Sequence, residues 1–72
     1  MKKVDFVLKT ERWLVQNDVI DFEYQKSATQ ATKIDINQYI NSVKGMLLDK
    51  APDLYPTFKM MIKENRVRGM QR

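Results

Sequence analysis

Lys59, Lys63 and Arg66 are spaced four and three residues apart, which places three cations along one strip of a helix, and Arg68 and Arg72 carry positive charge beyond it. Such a strip can follow a phosphate backbone, because each cation that neutralises a phosphate releases condensed counterions. Residues 59–72 hold these cations against Glu64 alone, a net +4, whereas residues 1–18 sum to +1 and residues 19–58 to −1. The basic character of the chain is therefore a C-terminal property. Two plainer roles compete for the same residues. Cations near a helix C-terminus complement its dipole and its last carbonyls, and a run of charge also serves as a solvated face.

A weaker signal lies upstream. Asn37, Gln38, Asn41 and Lys44 share the outward face of a helix, and their side chains can read base edges, asparagine and glutamine on adenine and lysine on guanine. If residues 19–31 and 36–50 are both helical, Thr32, Lys33 and Ile34 join them at a length that suits a helix-turn-helix. The turn lacks the glycine common in that motif, and any exposed helical face is polar.

Catalytic chemistry finds little to build on. The chain has no cysteine and no histidine, which excludes disulfides, thiolate or imidazole zinc sites, and nucleophile–histidine pairs. Gly45 and Gly69 stand too far apart for a P-loop or a dinucleotide fingerprint. Neither Ser27 nor Ser42 is followed by the glycine of a nucleophile elbow. The carboxylates Asp18, Asp21 and Glu23, or Asp49 and Asp53, could pair for acid–base work or hold Mg²⁺, but they read better as helix caps and solvated surface. The expectation is a non-enzymatic protein without cofactor or metal.

These side chains must be positioned by a chain of 72 residues, enough for one small domain with a marginal core. With 43% hydrophobic and 31% charged residues it lies above the disordered range. Self-association is one way to reinforce such a core, so a homo-oligomer is expected. Lys2 and Lys3 before apolar residues resemble the start of a signal peptide, yet Asp5 and Lys9 interrupt the run, and no stretch approaches the roughly 20 apolar residues of a membrane span. A cytoplasmic location without membrane contact follows as the default expectation.

The most legible element is a helix over 36–50. Asp35 takes the N-cap position, Gln38 can close a capping box, and Ile34 with Tyr39 has the spacing of a hydrophobic staple. Ile36, Ile40, Val43 and Leu47 form its apolar stripe, widened by Tyr39 and Met46. Ala51-Pro52-Asp53 stops it. A last helix from about Asp53 or Pro56 to Asn65 presents Leu54, Phe58, Met61 and Ile62 and makes an antiparallel pair with it. Gly69 ends that helix and residues 67–72 form a frayed basic tail.

The first third is ambiguous. As a helix, 4–15 places Val4, Leu8 and Val15 opposite Phe6 and Trp13; as a strand, Val4, Phe6 and Leu8 alternate with polar residues. An Asn17-Asp18 turn would pair Val15 with Ile20 and Trp13 with Phe22 in a β-hairpin. Alternatively Asp18 caps a helix whose stripe is Ile20, Tyr24, Ala28 and Ala31. The helical reading accounts for more residues and predicts a mainly α bundle of three to four helices. An α+β fold, with an N-terminal hairpin or meander followed by two helices, is the alternative.

The aromatics Trp13, Phe6, Phe22 and Tyr24 are most simply core, but apolar residues on two sides of the N-terminal half also suit a partner or dimer interface. Met60 falls outside the main stripe and is expected at the surface. The functional expectation is a small nucleic-acid-binding regulator, taking DNA in preference to RNA, with contacts from Lys59, Lys63, Arg66, Arg68, Arg72, Lys44 and Asn41. The alternative is a protein-interaction module, an inhibitor or adaptor of phage or plasmid type, using Trp13, Phe6, Phe22 and Tyr24.

Overall fold

The computed structural model describes the backbone of residues 3–70 and the side chains of residues 3–65. Its elements are α1 (Lys3–Gln16), a 3-10 turn (Phe22–Tyr24), α2 (Ala28–Thr32), α3 (Ile36–Lys50), a second 3-10 turn (Pro52–Leu54) and α4 (Tyr55–Met70). The fold is the mainly α bundle expected from the helical reading, and no strand forms among the described residues.

Helix α1 buries neither of the two stripes its sequence offers. Its buried residues are Phe6, Val7, Thr10, Glu11 and Leu14, a face centred on the i, i+3, i+4, i+7 set from Val7 to Leu14, with Val4, Leu8 and Trp13 half-buried at its margins. The Asn17-Asp18 pair makes no hairpin. Asp18 takes a left-handed conformation at φ 60°, while its N–H donates to the Val15 carbonyl at 3.1 Å and the Val19 N–H to the Leu14 carbonyl at 2.9 Å. This is a Schellman C-cap, completed by burial of both Leu14 and Val19. Aspartate tolerates this backbone better than most residues, so the signal that suggested a strand turn is a helix stop.

The expected helix over 19–31 is not formed. Residues 19–27 run irregularly through the first 3-10 turn, and only Ala28–Thr32 is helical. Ser27 competes better as a cap than as an interior helical residue. Its hydroxyl accepts from the Gln30 N–H at 3.3 Å while the Gln30 side chain accepts from the Ser27 N–H at 2.9 Å, a capping box. The box expected at Asp35 and Gln38 belongs here instead. Asp35 caps α3 with its carboxylate alone, accepting from the Asn37 and Gln38 N–H groups at 2.9 and 3.3 Å.

The core joins Phe6, Val7 and Leu14 of α1 to Val19, Ala31, Tyr39, Val43, Leu47 and Phe58. On α3 the buried centre is Tyr39, Val43 and Leu47, and Ile36, Ile40 and Met46 lie half-buried beside it. Tyr39, expected at the edge of the stripe, is in its middle. Ala51 sits at φ −150° and ψ 65°, outside the helical region as a residue before proline must be. Pro52 then opens the short turn into α4. Phe58 docks α4 onto α1, its ring 6.1 Å from Trp13 in a near-parallel stack and 6.4 Å from Phe6. Leu54, Met61 and Ile62 pack against the same core as the sequence predicts. Helix α4 continues past Gly69 to Met70, where a terminator was expected.

Candidate functional site

The two sets of sequence candidates come together. Between α3 and α4 lies an open groove of about 870 Å³, lined from α3 by Asn37, Ile40, Asn41 and Lys44 and from α4 by Tyr55, Pro56, Lys59, Met60, Ile62 and Lys63. Capping and packing explain its composition. With Tyr39, Val43 and Leu47 turned into the core, the neighbouring row Asn37, Ile40, Asn41 and Lys44 faces the groove. With Phe58 committed to α1, Lys59 and Lys63 fall on the open side of α4. Asn41, Lys59 and Lys63 are exposed and Lys44 is half-buried. The Lys59 ammonium lies 5.6 Å from the centre of the Tyr55 ring, one turn back on the same helix.

The groove has a mixed character. Ile40, Tyr55, Pro56, Met60 and Ile62 supply apolar surface, three lysines supply positive charge, and no carboxylate is among its lining residues. Met60 is 64% exposed, as expected. Gln38 does not line this groove but a second, smaller cleft. Arg66 and Arg68 continue the backbone of α4, but their side chains lie outside the described residues, as does the whole of Arg72.

The aromatic candidates separate. Phe6 is 4% exposed and belongs to the core, and Trp13 is half-buried on Phe58. Phe6 is thus enclosed by the core, and Trp13 has one face of its ring covered by Phe58. Phe22 and Tyr24 are 76% and 66% exposed on the first 3-10 turn, alternating with the exposed residues Asp21 and Glu23. The hairpin pairing of Trp13 with Phe22 therefore does not exist.

A buried polar centre escapes sequence reasoning. The Glu11 carboxylate, on a residue 2% exposed, accepts from the Tyr39 hydroxyl at 2.6 Å and from the Lys26 N–H at 3.0 Å. The Lys26 ammonium lies 5.7 Å from the centre of the Tyr39 ring. Burial pushes the Tyr39 phenol far above its ordinary range, and the hydrogen bond and negative charge of Glu11 push it further. Lys26 and Lys33 help to line the adjoining cleft of about 350 Å³. This centre fastens α1, α3 and the 19–27 segment to one another. Its only sequence trace is a carboxylate between Val7 and Leu14 at helical spacing.

Among the described residues no helix is long and apolar enough to cross a membrane, and no group of three or more acidic, cysteine or histidine side chains could hold a metal ion. Comparison with protein-family models, with curated proteins and with solved structures finds no match to this chain.

Proposed function

We propose that the protein binds nucleic acid in the α3–α4 groove, acting as a small non-enzymatic regulator. The observation that carries this reading is the convergence of Asn37, Asn41 and Lys44 with Lys59 and Lys63 on one concave surface without a carboxylate. The lysines neutralise phosphates and the asparagines meet base edges. Concavity favours an extended strand of DNA over a duplex. The polar face of α3 looks into a depression walled by α4, whereas a major groove admits a helix that stands proud of its surroundings. A single strand also presents apolar base faces, which Tyr55, Met60 and Ile40 can cover.

The test is a titration of labelled single-stranded and duplex oligonucleotides at several salt concentrations, with the wild type and with Lys59→Ala/Lys63→Ala. The variant should bind more weakly and reduce the slope of log affinity against log salt by about 1.4 for a single strand, about 0.7 for each lost phosphate contact. Affinity indifferent to both salt and the substitutions would sink the reading. A protein-interaction role is favoured by one separate observation, the exposure of Phe22 and Tyr24 on the first 3-10 turn.

A further inference from the structure

Two aromatic rings stand in solvent in a chain short of core. Phe22 and Tyr24 occupy a turn that is fixed at both ends. Val19 is buried on one side, and on the other the Lys26 N–H is held by the buried Glu11 carboxylate. The turn itself is closed by the Tyr24 N–H donating to the Asp21 carbonyl at 2.9 Å and the Gln25 N–H donating to the Phe22 carbonyl at 3.0 Å. A knob held this way loses little freedom on docking. Its sequence, Asp21-Phe22-Glu23-Tyr24, alternates carboxylates with rings. The α3–α4 groove is its complement, lined by the apolar Ile40, Met60 and Ile62 together with Lys44, Lys59 and Lys63. Its volume of about 870 Å³ lies within the range of about 300–1,000 Å³ typical of ligand-binding clefts.

We propose that the Phe22–Tyr24 turn of one molecule seats in the α3–α4 groove of a second copy of this chain. The rings cover Ile40, Met60 and Ile62 while Asp21 and Glu23 approach the three lysines. Knob and groove are different surfaces, so the contact is heterologous and, in any assembly not closed into a ring, leaves a free knob at one end and a free groove at the other. The proposal stands independently of nucleic-acid binding. Where both occur, they compete for Lys59 and Lys63.

Sedimentation across a concentration series tests this, with circular dichroism confirming that each variant keeps its helices. The wild type should gain average mass with concentration, less so at high salt. Phe22→Ala/Tyr24→Ala, which lacks the knob, and Lys59→Glu/Lys63→Glu, which reverses the groove, should each remain monomeric. Mixed, these two variants should form a 1:1 dimer that grows no further, since the intact groove of one receives the intact knob of the other. A wild type that stays monomeric throughout overturns the proposal, even if it binds oligonucleotides, and then the groove belongs to nucleic acid. Undiminished association of Phe22→Ala/Tyr24→Ala, or no pairing in the mixture, overturns it equally.

Discussion

The Tyr39 hydroxyl donates to the Glu11 carboxylate at 2.6 Å across 28 residues of sequence, inside the core that α1 and α3 share. A buried carboxylate is tolerated only where its oxygens find donors, and here the second oxygen takes the Lys26 N–H. The same centre therefore holds two helices together and fixes the segment that carries Phe22 and Tyr24.

Tyr39→Phe keeps the ring and removes the donor, leaving one Glu11 oxygen without its partner. We expect a loss of about 1–3 kcal/mol at neutral pH, read from urea unfolding. The pH dependence has a defined sign. Below pH about 10 the phenol is protonated in both folded and unfolded chains. Above it the unfolded phenol ionises while the folded one, its pKa raised, keeps its proton, so stability falls as pH rises by up to about 1.4 kcal/mol per unit. The difference between wild type and Tyr39→Phe should be flat below that window and shrink within it. A constant difference through the alkaline range would show that the phenol is not held protonated by burial.

Phe58→Ala removes a fully buried ring and the contact of α4 with both Trp13 and Phe6. Such truncations cost about 3–5 kcal/mol, comparable to the whole stability of a small domain. The variant should show a largely lost helical circular dichroism signal near physiological temperature. Retention of a cooperative transition within a few degrees of wild type would mean that α4 is dispensable to the core.

Thr10→Val should stabilise. The Thr10 hydroxyl is fully buried and has no hydrogen-bond partner among the described residues, and valine fills nearly the same volume without a polar atom to satisfy. The expected gain is about 1 kcal/mol, seen as a rise of about 4–8 °C in Tm for a domain of this size. Destabilisation would indicate that the hydroxyl is in fact satisfied.

Much of the second half was legible because its signals are local. Asp35 caps through bonds to residues two and three positions on, and Pro52 stops α3 by sterics at Ala51. Phe58 and Lys59 are adjacent, so fixing one against the core fixes the other in the groove. The first half depends on distant partners. Thr10 and Glu11 interrupt the apolar face of α1, and only Tyr39 and Lys26 show why a carboxylate belongs there. Periodicity counted Tyr39 as a margin residue because the spacing of Ile36, Ile40, Val43 and Leu47 put the centre of the stripe beside it. The ring goes inside instead, since Glu11 supplies an acceptor for its hydroxyl. Over 19–27 the apolar spacing of Ile20 and Tyr24 suggested a helix. The Schellman stop at Asp18 and the cap at Ser27 outweigh it. The shared groove was invisible for a simpler reason. Its walls are each readable, but their meeting depends on the turn between them.

Trp13, the single tryptophan of the chain, lies against Phe58 with ring planes 11° apart, and Phe58 sits on the helix that walls the groove. The protein thus contains its own optical gauge of that wall. An occupant that levers α4 away from α1 must unstack the pair and alter the indole emission. One that settles between α3 and α4 without displacing either leaves the signal silent, so a single intrinsic spectrum separates opening of the groove from filling it.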